Sequence, residues 1–160
     1  MSQPITLMSR RSLLTLAAAA ALTGTASAII ADEATVVVHK DPNCGCCTGW
    51  VQHLREAGFT VRVEETPELD TVRTRLGVPP DLAACHTGEV GGYVIEGHVP
   101  AEAVRRLLSG RPAARGIAVP GMPPGSPGME GGRPQPYTVI RFGNDGQHPF
   151  MRFIGTKVIA

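Results

Sequence analysis

The stretch Ala34-Thr35-Val36-Val37-Val38-His39-Lys40-Asp41-Pro42-Asn43-Cys44-Gly45-Cys46-Cys47-Thr48-Gly49-Trp50-Val51 reads, in order, as a strand, a turn and the opening of a helix. Three successive valines make a β-branched run. Asp41-Pro42-Asn43 supplies turn chemistry: Pro presets φ, while Asp and Asn bond to nearby backbone. Beyond the turn, Trp50, Val51, Leu54 and Ala57 recur at helical spacing until Gly58, which suits a left-handed helix stop. Cys44, Cys46 and Cys47 are three of the chain's four cysteines, and all fall in the first turn of that helix. Unpaired amides and the positive end of the helix dipole favour thiolate over thiol there. Thiolate is both the nucleophilic and the metal-binding form, so the triplet points to chemistry rather than packing.

Working outward, Thr60 to Glu64 alternates at period two as a second strand. Thr66-Pro67-Glu68 opens a second helix with Pro at its first position, a buried stripe of Leu69, Val72 and Leu76, and Gly77 at its end. Gly91-Gly92 and the apolar Tyr93-Val94-Ile95 fit a hairpin or a pair of short strands, and Pro100 opens a third helix with Val104, Leu107 and Leu108 facing inward. Arg111 to Pro136 is rich in Pro and Gly and has no period, so it is read as either disordered or functional. Tyr137 to Phe142 and Pro149 to Phe153, joined through Gly143-Asn144-Asp145-Gly146, close the chain as a hairpin. The fold class is α/β. Strand, helix, strand, helix, strand, strand, helix is the order of the thioredoxin fold, with the long Pro/Gly-rich loop and the C-terminal β-hairpin as additions.

The N-terminus reads as an export signal: Arg10-Arg11, an alanine-rich apolar run to Ala21, and the small-x-small pattern Ala26-Ser27-Ala28. The paired arginines fit the twin-arginine route, and the general secretory route is compatible with them too. The apolar run is shorter than the ~20 residues of a membrane span. Cleavage near Ala28 leaves residues 29–160 as one domain, with no membrane span, exported to the periplasm. Of 15 basic and 14 acidic residues only Arg10 and Arg11 are removed, so the exported chain carries a formal charge of −1. Nucleic acid is not a partner at that balance.

Four cysteines in an exported chain ordinarily form two structural disulfides. Adjacent Cys46 and Cys47 resist that pattern, because a bond between neighbours is strained. Cys44 and Cys47 have the Cys-x-x-Cys spacing of dithiol oxidoreductases, in which an exposed first thiol attacks and the second resolves the mixed disulfide. Cys46 would divert such a cycle but would help hold a soft metal. Cys85, after Pro79-Pro80, is a candidate fourth sulfur. Cuprous ion, Cu(I), suits bunched thiolates that share ions, whereas zinc centres draw separated Cys pairs. Met122 and Met129, in a segment poor in core residues, offer soft thioethers; His86, beside Cys85, is the histidine that best fits the site. His39 is a weaker candidate, His53, His98 and His148 read as surface residues, and Trp50 as core.

Asp41 to Cys47, Cys85-His86-Thr87, Gly92 to Pro100, Val119 to Pro123 and Gly125 to Glu130 together resemble the CopG-like family of exported bacterial copper-resistance proteins. The resemblance runs from about Thr35 to Phe153. It implies a thioredoxin-like fold and cuprous ions held by Cys44, Cys46, Cys47 and Cys85, with Met122, Met129 and His86 as further ligands. It also implies a role in copper resistance, by sequestration, transfer or redox conversion. Copper ions would be the cargo, with periplasmic copper donors or acceptors and thiol-reducing proteins as partners. Two other functions fit the residues: a thiol-disulfide oxidoreductase using Cys44 and Cys47 catalytically on protein substrates, and a disulfide-stapled binding module without free thiols.

Overall fold

The computed structural model describes residues 35–159. The export segment expected over residues 1–28, and its cleavage point, lie outside them. Eight strands form one mixed sheet in the order β2-β1-β3-β4-β5-β6-β7-β8. They are β1 (Val36–Lys40), β2 (Val61–Glu65), β3 (His86–Val90), β4 (Tyr93–Glu96), β5 (Gly116–Ala118), β6 (Pro136–Gly143), β7 (Gly146–Ile154) and β8 (Lys157–Ile159). Three helices accompany them: α1 (Gly45–Glu56), α2 (Leu69–Leu76) and α3 (Ala101–Gly110). β1 runs parallel to β2 and β4 parallel to β5; every other neighbouring pair is antiparallel. The two parallel pairs are the ones joined through helices, as crossover geometry requires.

The sheet is covered on both faces. Trp50, Val51 and Leu54 of α1 share one core with Val104 and Leu107 of α3 and with Val36, Val38, Ile95 and Ile117 of the sheet. Leu76 at the end of α2 joins Val78, Leu82, Val94, Ala118 and Phe142 in a second core. Neighbours on β4 and β5 alternate between the two: Ile95 and Ile117 serve the first, Val94 and Ala118 the second. Each fully buried aliphatic side chain contributes roughly 1.5–3 kcal/mol.

Three expectations are revised. Arg111 to Pro136 is not structureless, since Gly116–Ala118 forms β5 beside β4; three residues are too few to show a period. The C-terminal hairpin exists as β6 and β7, with a register shift between Val139 and Ile140, but it continues the main sheet and gains a third strand, β8. In α2 only Leu76 is buried, and the N-cap is Glu68, so Pro67 precedes the helix instead of opening it.

Candidate metal centre

The cysteine turn is shaped locally. The Asn43 amide donates to the Asp41 carboxylate at 2.7 Å and the Cys44 amide to the Asp41 carbonyl at 3.1 Å. This Asx turn makes Cys44 the N-cap of α1. Its side chain caps nothing, so the sulfur is free for other bonds. Cys46 and Cys47 follow in the first turn, and no acidic residue competes there for the dipole. Cys44 and Cys47 are joined by a disulfide; Cys46 and Cys85 are free thiols.

Cys85 comes to the triplet from the other side. Pro79 and Pro80 lead into a short 3-10 turn, Pro80–Leu82, and Cys85 stands just before β3. Its Sγ lies 3.8 Å from that of Cys46, which lies 3.5 Å from that of Cys44. Cys47 Sγ lies 3.4 Å from the Cys85 carbonyl oxygen. All four sulfurs fall within 4.8 Å of one another. The structure thus brings Cys85, expected as a candidate fourth sulfur, together with the triplet.

A buried carboxylate fixes the Cys85 segment. Glu96, at the end of β4, accepts from the Ala84 amide at 2.7 Å, the Thr87 hydroxyl at 2.7 Å and Arg73 Nε at 3.1 Å. Arg73 also donates to the Ala84 carbonyl. The residues on both sides of the Cys85-His86 pair are thereby pinned to one side chain. Burial raises the Glu96 carboxyl, and its hydrogen bonds and Arg73 oppose that shift.

Two histidines complete this wall. His86 Nδ1 lies 3.4 Å from Cys85 Sγ, with the ring against Trp50 at 4.3 Å. Cys85 precedes the strand, so strand alternation does not turn the two side chains to opposite faces. His98 is the correction: read as a surface residue, it is fully buried, with Nε2 3.0 Å from Cys85 Sγ and Nδ1 2.8 Å from the Pro127 carbonyl. Burial, then the neighbouring His98, pulls His86 down from 6.5 to about 3, and burial lowers His98 as well. Both imidazoles are neutral donors at neutral pH. Burial, then the Cys46 sulfur, pushes the Cys85 thiol up from 9.0 to about 12. Helix-end thiolate stabilisation does not extend to Cys85 in this disulfide state, and a metal there must displace a proton.

The Pro/Gly-rich segment is docked across the triplet. Its turn is closed by Gly125 N–H to the Met129 carbonyl at 2.9 Å and Met129 N–H to the Ser126 carbonyl at 2.8 Å. Gly128, at φ 86°, lies so close to α1 that an added Cβ would stand 2.8 Å from the Trp50 amide nitrogen; one on Gly49 would stand 2.9 Å from Gly128 Cα. Only paired glycines permit that approach. Met122 is 53% exposed and Met129 half-buried on this segment.

The remaining histidines have other partners. His39 is bonded to Glu89 at 2.9 Å and Glu64 at 3.3 Å, and His148 lies beside Asp145. His53 Nε2 accepts the Ala101 amide at 3.0 Å, capping α3. Trp50 is core, as expected, and its Nε1–H donates to the Val99 carbonyl. Sequence reasoning missed His98, Glu96 and Arg73. A signal for Glu96 existed in a charged residue directly following the apolar Tyr93-Val94-Ile95 run.

Residues 82–129 match a family described as "Protein of unknown function, DUF411". That span contains Cys85, His86, Glu96, His98 and both loop methionines but not the triplet. Two solved structures described as copper resistance protein CopG, forms 1 and 2, are each 42% identical to the chain, with a TM-score of 0.71. They cover 76% and 75% of this chain and 98% of their own. No curated protein matches.

Proposed function

The chain belongs to the CopG family of copper resistance proteins, and from that premise we propose that it is an exported periplasmic protein that holds Cu(I) on cysteine thiolates. The observation that carries the reading is the convergence of four cysteine sulfurs within 4.8 Å at one helix N-terminus. Once the Cys44–Cys47 bond is reduced, Cys44, Cys46, Cys47 and Cys85 offer four soft donors, close enough for sulfurs to be shared between ions in a small cluster. His86 adds a nitrogen donor beside Cys85, and Met122 and Met129 add thioethers on the docked segment. A thioredoxin-like core is part of this reading. The order β2-β1-β3-β4, with β1 and β2 parallel and the next two pairs antiparallel, supports it.

Redox conversion follows from the same sulfurs. Two Cu(II) ions would each gain one electron while the thiols of Cys44 and Cys47 give up one each, forming their S–S bond and releasing two protons. A thiol-reducing partner would restore the dithiol. A pre-reduced protein that reduces Cu(II) without losing two thiols per two ions would remove this step. Copper-edge X-ray absorption on the loaded, reduced protein tests the binding reading: a sulfur-dominated shell is expected, and a shell of oxygen and nitrogen alone would contradict it.

A second reading is favoured by the Cys44–Cys47 disulfide itself: thiol-disulfide exchange on protein substrates. Once the bond is reduced, Cys44, half-buried at the N-cap, is the attacking thiol, and buried Cys47 the resolving one. Insulin-type disulfide reduction that survives Cys46→Ser would favour it over copper binding.

A further inference from the structure

The two outer edges of the sheet differ. β8 is three residues long, Lys157-Val158-Ile159. β2 is five residues long, Val61-Arg62-Val63-Glu64-Glu65, and among the described residues no strand lies beyond it. An edge of that kind offers unpaired backbone groups to another chain.

The parallel ladder to β1 decides which groups those are. Val36 N–H donates to the Thr60 carbonyl at 2.8 Å and Thr66 N–H to the Lys40 carbonyl at 2.9 Å, at the two ends of a register that sets Val36 opposite Val61 and Lys40 opposite Glu65. Backbone groups alternate sides along a strand, so the even-numbered positions of β2 turn theirs toward β1, and Val61, Val63 and Glu65 turn theirs outward. Arg55 donates to the Val61 carbonyl at 3.2 Å, which leaves Val63 as the centre of the open stretch. Val61 and Val63 are half-buried against the main core. Arg62 and Glu64 stand on the opposite face, paired with each other and 60% and 40% exposed.

We propose that β2 pairs antiparallel with β2 of a second copy of this chain, about a two-fold axis at Val63. Val63 and its counterpart then exchange both backbone hydrogen bonds. Arg62 falls directly opposite the partner's Glu64, and Glu64 opposite the partner's Arg62, at the non-hydrogen-bonded positions where cross-strand side chains come closest. The order Arg-Val-Glu is thus its own complement under the axis, as an interface made of one patch used twice requires. The same operation on β8 sets Lys157 against Ile159 and forms no charge pair. Val61 meets the partner's Glu65, so the 57% exposed Glu65 carboxylate arrives at the end of the edge that Arg55 covers. Because β1 runs parallel to β2, the β1 strands of the two copies run in opposite directions, and their cysteine turns stand at opposite ends of the joined sheet.

The test is sedimentation velocity of the purified protein over a concentration series from nanomolar to submillimolar. A five-residue edge makes a small interface, so a reversible dimer with a micromolar dissociation constant is expected. Arg62→Glu sets like charges opposite each other in both pairs, and Glu64→Arg does the same with the other sign. Each should weaken the dimer at least about tenfold, and the double swap Arg62→Glu/Glu64→Arg should restore it to within about threefold of wild type. Both side chains face solvent, and His39 keeps Glu89 when Glu64 is replaced, so the variants are expected to fold, which circular dichroism checks. Mixing the two single variants should produce a heterodimer, because each supplies the charges the other lacks. A wild-type protein that stays monomeric across the whole series overturns the proposal. So does a dimer of wild-type strength in folded Arg62→Glu, or a pair of single variants that do not associate when mixed.

Discussion

The two walls of the candidate metal centre are built to different rules. One is a solvent-facing helix end: Cys44 and Cys46 are half-buried there, with Gly45 and Thr48 exposed. The other backs onto the sheet, where His86, Thr87, Glu96 and His98 are all fully buried. The first wall is held by backbone turns and carries the Cys44–Cys47 bond. The second is held by a buried ion pair and hydrogen bonds that pin the residues on both sides of Cys85-His86. Chemistry that needs both change and constancy is thus divided between a mobile-chemistry side and a fixed side.

Breaking the fixed wall should have the largest effect. Glu96→Ala strips Arg73 of its buried partner and leaves the Ala84 amide and Thr87 hydroxyl unpaired. A stability loss of about 3 kcal/mol is expected, read as a lower urea midpoint, together with faster reaction of Cys85 with a thiol reagent. If Cys85 reacts at the wild-type rate, the carboxylate does not position it. Gly128→Ala attacks the contact between the docked segment and the other wall. The substitution forces a Cβ into α1 at a left-handed φ, so a loss of about 2 kcal/mol is expected. Faster labelling of Cys46 should accompany it; unchanged labelling would show that the segment does not shield the triplet.

A third test concerns pH. His53, His86 and His98 are all shifted down by burial, so the unfolded chain takes up their protons first. Stability of the metal-free protein is therefore full above about pH 6.5 and falls as pH drops from there toward the folded values, His86 titrating last at about 3. Protonation of His53 also removes the acceptor for the Ala101 amide at the start of α3, worth about 1 kcal/mol. Urea unfolding between pH 7.5 and 4.5 should show the decline, with a shallower slope in His53→Gln. A flat profile would contradict the assignment of these rings as neutral.

Much of the framework was legible because it is local. Three valines, an Asp-Pro-Asn turn and helical spacing gave β1 and α1, and the cysteine spacing marked the site. β5 was not legible: Gly116-Ile117-Ala118 is a strand only because β4 and β6 flank it. His98 escaped for the same reason, since its burial depends on Pro127, 29 residues away. Glu96 lay inside a stretch read for its apolar neighbours, and only the fold brings Arg73 to it. Spacing along the chain reveals which residues could react, while long-range contacts decide which of them are held still.

The most direct test of the account is an anaerobic Cu(I) titration of the reduced protein against a competing chromogenic chelator, with Cys46→Ser and Cys85→Ser alongside. The prediction is tight binding of more than one ion per chain, weakened at least about tenfold by either substitution, one from each wall. Weak binding that is indifferent to both substitutions would contradict it.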